Sequence, residues 1–162
     1  MAIIKPNNNT ISAITALPAG ISTGKVLQVV QDTKLDRSEI SVSSAGTFVD
    51  ISGLSVNITP SSTSSKILIL IHQSIGKSNA NTWTDIKLLR DSTQIGLFAS
   101  VTYNGVSQSN YIGTTGCSFL DTPSSTSSLT FKTQFRNVAA SGTVNAQVDN
   151  GLSSITLMEI AG

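Results

Sequence analysis

The chain has 162 residues, a formal net charge of +1 and only 12% charged residues, which suits one domain with a proper core; its seven Lys and three Arg are scattered and make no basic patch for nucleic acid. Forty-five Ser and Thr beside many Val and Ile favour antiparallel sheet over a disordered chain, which would carry more charge and fewer β-branched residues. The longest apolar run, Ile67–Ile71, is five residues against about 20 for a spanning helix, and the single Cys117 excludes an intrachain disulfide and a thiolate zinc cluster.

Residues 1–24 are rich in Asn, Thr, Pro and Gly, with isolated Ile3, Ile4, Ile11, Ile14 and Leu17. No helical or strand period holds across them, and Pro6 and Pro18 oppose a long helix, so they read as an extended arm. The opening MAIIKPNNNT lacks the apolar stretch of a secretory signal; with the lone cysteine, this predicts synthesis in a reducing cytosol. From Lys25 strand signals arrive at short intervals. KVLQVVQ is first, then TFVDI, then LSVNI with Leu54, Val56 and Ile58 on one face. KILILIH is apolar on both faces, which predicts an interior strand covered on both sides. WTDIKLL, a segment around QSNYI, and GCSFL follow, the last placing Cys117 in core packing. LTFKTQF sets Leu129, Phe131, Thr133 and Phe135 against Thr130, Lys132, Gln134 and Arg136. TVNAQV and SITLMEI end the chain, and no window keeps a helical period for three turns, so the fold class is all-β.

The heptad TPSSTSS occurs at residues 59–65 and, unchanged, at 122–128. Each copy follows a strand and precedes a strand. Its proline, Pro60 or Pro123, ends the preceding ladder for want of an N–H, and the Ser/Thr run can hydrogen-bond a turning backbone. The flanking sequences do not otherwise align, so this is one joint used twice rather than a repeat. A hairpin folded over on itself, the antiparallel two-sheet jelly-roll sandwich, contains such paired joints.

Enzymatic motifs fail on context. Gly20-Ile-Ser-Thr-Gly24 matches the nucleophile-elbow pattern but precedes a strand, not a helix. The same stretch read as a phosphate loop is one residue short and has Val26 where Ser or Thr would hold magnesium. The sole histidine, His72, follows an apolar run and reads as structural. Asp32 and Asp36 lie in a polar stretch where a solvated turn outweighs a weak calcium site. No catalytic residue, metal site or cofactor is expected.

The run from Gly24 to Gly162 resembles a module of small virion proteins of tailed, chiefly marine, phages. The resemblance rests on GKVLQVVQ, TFVDISGLSVNITPSSTSSKILI, the LLRDST turn, FLDTPSSTSSLTFK and the terminal ITLMEIAG. In strand order the chain is also similar to the trimeric jelly rolls of the tumour necrosis factor and complement type. These resemblances imply a phage structural component assembling as a homotrimer, with the last strand near the three-fold axis. One face of that strand, Ile155 and Leu157, would fill the sandwich; the other, Thr156, Met158 and Ile160, would form the trimer interface.

Two expectations follow for function. The chain decorates or cements a phage head, with arm 1–24 lying along capsid or other virion proteins through Ile3, Ile4, Ile11, Ile14 and Leu17, and domain 25–162 standing outside. Alternatively it is the receptor-binding tip of a fibre, reading a host-surface glycan or protein through Trp83, Tyr103 and Tyr111. A fibre tip would follow a long shaft of repeats or coiled coil, which the two dozen residues before β-structure do not supply, so the first expectation leads. Neither calls for nucleic acid or membrane, and both place the protein in the virion after synthesis in the host cytoplasm.

Overall fold

The computed structural model describes residues 24–36, 40–43, 45–98, 102, 109–139 and 141–162; the arm and Tyr103 lie outside them. Among the described residues ten strands run in chain order: β1 (Val26–Lys34), β2 (Ile40–Val42), β3 (Val49–Ile58), β4 (Lys66–Lys77), β5 (Thr84–Arg90), β6 (Thr93–Phe98), β7 (Tyr111–Asp121), β8 (Leu129–Asn137), β9 (Val144–Ala146) and β10 (Ser153–Ile160). No described residue is helical.

Pairing reduces the ten strands to eight. On one edge of β4, β10 takes Lys66–His72 and β9 takes Ile75–Lys77, so β9 and β10 are one strand interrupted at residues 147–152. On their far side β1 pairs β10 and β2 pairs β9, so β1 and β2 are likewise one interrupted strand. β7 lines the other edge of β4. This first sheet faces a second, ordered β3-β8-β5-β6. The antiparallel pairs β1–β10, β3–β8, β4–β7 and β5–β6 are nested one inside the next. That nesting is a long hairpin folded over on itself, the jelly roll.

Alternation decides which side chains meet between the sheets. Ile67, Ile69 and Ile71 of β4, Ile155 and Leu157 of β10, Leu54, Val56 and Ile58 of β3, Ile86 and Leu88 of β5, and Leu129, Phe131 and Phe135 of β8 form one buried cluster. Two expected elements merge with their neighbours. TFVDI and LSVNI are both β3, whose pairing with β8 shifts between Asp50 and Ser55; Gly53 there adopts a φ of 78°, a conformation glycine takes without steric cost. The Tyr111-Ile112 end of QSNYI and GCSFL join as β7, because Gly113 and Gly116 sit within a ladder that stays in register from Tyr111 to Asp121. A further strand, β6, turns back on β5 through Asp91-Ser92.

Both heptads cross between sheets, one from β3 to β4 and the other from β7 to β8. Because β3 pairs β8 and β4 pairs β7, with Ile58 opposite Leu129 and Ile67 opposite Asp121, the two crossings lie side by side at one end of the sandwich. They are equivalent in topology but not in chemistry. The first copy is bonded to the last strand through Ser61 and Ser65, whereas in the second Ser125 accepts from the amide of Ser127 within the loop. Pro60 is buried and Pro123 half-buried. Pro123→Ala is therefore expected to change stability by about 1 kcal/mol or less, chiefly through the unfolded chain, and Pro60→Ala to cost more because packing is lost as well. Urea unfolding of the two variants checks this, and a larger loss for Pro123→Ala would contradict it.

Candidate functional site

The two sheets present very different outer faces. On the second sheet, Lys132 pairs with Asp50 at 2.9 Å and Arg136 with Asp85 at 2.7 Å. Gln134 also donates to Asp50, and the hydrogen bonds from Lys132 and Gln134 hold the Asp50 carboxyl below its usual range. Lys87 and Arg136 lie over the Phe48 ring, 4.3 and 4.7 Å from its centre. This face is built for water.

The first sheet's outer face carries an apolar row. Register places Val29 opposite Met158, Met158 opposite Leu68, and Leu68 opposite Leu120, so one apolar row crosses four strands. Leu70 lies two residues along β4, and Ile160 two residues along β10. Val29 is 54% exposed and Leu120 51%. Between these side chains the face carries Gln31, Thr156, Ser118 and His72; the exposed Lys66 stands at its end opposite Ile160, and no acidic residue or arginine among those described lies on it. A neutral row of this kind is what interface centres select, since charged groups are depleted there.

KILILIH was expected to be covered on both sides. β4 is indeed interior in the sheet, paired along both edges, but only its inward face is covered. Leu68 is half-buried and Leu70 exposed, because the second sheet packs against one side alone and nothing among the described residues lies over the other. Thr156, Met158 and Ile160 fall together on this outer face, all half-buried, while Ile155 and Leu157 are fully buried between the sheets. The residues proposed for self-contact thus share one surface with Val29, Leu68 and Leu120, which strand alternation alone did not connect to them.

The last strand also holds Glu159, a functional group that its strand pattern alone does not mark. Its parity places it inward with Ile155 and Leu157, and it is 1% exposed. Oε1 accepts from the Ser61 amide at 2.7 Å, the Ser61 hydroxyl at 2.6 Å and the Ser65 hydroxyl at 2.6 Å; Oε2 accepts from Gln28 Nε2 at 2.6 Å. Burial alone would raise its pKa, but these donors outweigh burial and hold it down to about 2. An acid on the core register of an alternating strand, in a chain with a Ser-rich turn, is the signal that could have found it. The carboxylate fastens the first crossing and β1 to the final strand at the end of the sandwich, fixing the edge of the apolar face.

The remaining candidates separate. Ile3, Ile4, Ile11, Ile14, Leu17 and Tyr103 lie outside the described residues. Tyr111 is half-buried at the start of β7 with its ring over Gly113, where an added Cβ would come 2.7 Å from the phenol oxygen. Trp83 is half-buried just before β5, and its carbonyl accepts from the Val138 amide. His72 is exposed rather than enclosed, its Nδ1 3.0 Å from the Leu152 carbonyl. Cys117 packs against the core, and burial pushes its thiol up to about 11, which suppresses the reactive thiolate. Asp32 lies in β1 rather than a loop, accepting from the amides of Thr33 and Ser55. Among the described residues no three His, Cys, Asp or Glu side chains gather to hold a metal.

No protein-family model and no curated protein sequence matches this chain. Its fold is shared with VP2 of infectious bursal disease virus. The likeness to the VP2 subviral particle has a TM-score of 0.54 at 16% identity, over 83% of this chain and 33% of that one. For the Gx strain the values are 0.54, 15%, 83% and 33%, and for the T13 viral particle 0.52, 16%, 83% and 31%. The chain therefore spans about a third of the length of the viral proteins it matches. At this identity the likeness establishes the jelly-roll fold.

Proposed function

We propose that this chain is a non-enzymatic virion structural protein: a homotrimeric decoration or cement component, anchored to the capsid or another particle surface by its N-terminal arm. The observation that carries this reading is the asymmetry of the sandwich. One outer face is furnished with ion pairs for water, and the other bears an uncharged apolar row through Met158 that no described residue covers. The jelly roll shared with a virus-particle protein, and the resemblance of GKVLQVVQ and ITLMEIAG to phage virion modules, support the same reading. In it the protomers cover one another's apolar faces, and the arm reaches outward with its five aliphatic side chains. At about 3.3 Å per residue an extended arm of this length can cross a neighbouring subunit.

Deleting residues 1–24 is the decisive experiment. The expected result is a trimer with nearly unchanged melting behaviour that no longer enters particles, while fusing residues 1–24 to an unrelated trimer restores some particle binding. Truncated protein present on purified particles at normal copy number would remove the anchoring role and bring forward the fibre-tip reading.

A further inference from the structure

The jelly roll has four sheet edges, and three of them are closed to further strand pairing. β1 carries a register shift between Val26 and Gln28 and the charged Asp32 and Lys34. β3 carries the shift between Asp50 and Ser55, and the Asp32 carboxylate takes the Ser55 amide at 3.0 Å, tying these two edges to each other. β6 has only six residues and a shifted partner register. Bulges, charges and shortness are the usual devices that keep an edge from templating another strand.

β7 has none of them. It is eleven residues long, YIGTTGCSFLD, with no proline and no charge before its last residue. That residue, Asp121, is turned away to Arg90 at 2.6 Å. The strand stays in unbroken register with β4 from end to end, and among the described residues it pairs with β4 alone. An edge in unbroken register, with ten uncharged residues before Asp121, is a receptor for an extended strand.

We infer that the free edge of β7 accepts residues 7–17 of a second copy of this chain as an added antiparallel strand. This inference rests on the reading of residues 1–24 as an arm that reaches out of its own trimer, and places residues 7–17 of that arm on a copy of this chain in a neighbouring trimer on the particle. Between Pro6 and Pro18 the arm has eleven residues, NNNTISAITAL, with no proline and no charge, matching β7 in length and neutrality. Each proline lacks an N–H and so ends a ladder at that point. Its isolated Ile11, Ile14 and Leu17 supply small apolar anchors beside the main-chain hydrogen bonds by which an extended segment adds to a sheet edge.

The direction of the chain favours a second copy over the same one. The arm joins β1 where Val26 meets Ile160, the end of the sheet at which β4 begins and β7 finishes. An arm folding back along its own β7 would therefore run parallel to it. Every named strand pair in the protein is antiparallel, the better-bonded arrangement. A neighbouring copy can approach β7 in the antiparallel sense, and the contact lies in the sheet plane, clear of the apolar face.

Amide hydrogen exchange of the full-length protein tests this, with Ser12→Pro/Thr15→Pro as the comparison and the β8 amides as an internal measure of folding. In the unmodified protein, the β7 amides directed away from β4 should exchange at least about tenfold more slowly than in the proline variant. That protection should fall on dilution to monomer. Equal exchange of these amides in the two proteins, with β8 equally protected, overturns the proposal. Protection that the prolines remove but dilution does not would place the same chain's arm on the edge and overturn the second-copy assignment. Protection that survives the prolines would mean another segment fills the edge, and also overturns it. Particle uptake is scored separately: normal uptake of a proline variant that has lost edge protection removes the anchoring role while leaving the strand addition standing.

Discussion

Glu159→Ala is expected to destabilise the folded chain by on the order of 3 kcal/mol. Four short hydrogen bonds converge on this carboxylate. Its removal strands the Ser65 hydroxyl, which is 1% exposed, while the exposed Ser61 and half-buried Gln28 can turn to water. The pH dependence separates this from a packing loss. The folded carboxyl has its pKa lowered from 4.5 to about 2, so its contribution is complete above pH 4.5 and disappears as pH falls towards 2. Urea unfolding should show the wild type's advantage over Glu159→Ala at neutral pH and its shrinkage across that acid window. An advantage that stays constant down to pH 2 would mean that the ionised clamp is not the source.

Met158→Asp is expected to abolish self-association without unfolding the sandwich. Met158 sits mid-row on the outer face between Val29 and Leu68 and is half-buried in the single chain, so a lone protomer can hydrate the new carboxylate. In an assembled interface the charge would be enclosed without a partner, costing about 3–5 kcal/mol, or roughly a hundred- to a few-thousand-fold in association. Light scattering reads the loss, and a retained cooperative melt shows that the fold survives. An unmodified protein that is monomeric at micromolar concentration would sink the self-association reading itself. The contrasting variant is Leu157→Ala, one residue away but fully buried; a cavity there lowers stability by roughly 2–5 kcal/mol whatever the state of assembly.

The strands were legible where a two-residue period survives on one buried face. LTFKTQF and LSVNI present Phe131, Phe135, Leu54 and Val56 to the core as their alternation dictates. The merging of TFVDI with LSVNI was not legible, since the glycine that looks like a break is the residue that lets β3 bulge and continue. That β1 and β2, and likewise β9 and β10, continue one another was hidden for a related reason. Each pair of strand pieces is a single strand only by virtue of sharing the same partners across the sheet.

The sequence by itself determined the class of fold, the crossings and the inward set of side chains. These depend on local rules: alternation sorts side chains to two faces, proline ends a ladder, and Ser/Thr runs support turns. It also marked Met158 and Ile160 as lying opposite Ile155 and Leu157. Only the tertiary structure decided what each face meets. Register across β1, β10, β4 and β7 drew Val29, Met158, Leu68 and Leu120 from distant parts of the chain into one row. It left the second apolar side of KILILIH uncovered by any described residue, and it carried the first heptad's serines to Glu159, 98 and 94 residues away along the chain. Such meetings are set by the pairing of whole strands, a non-local choice that no window of sequence contains.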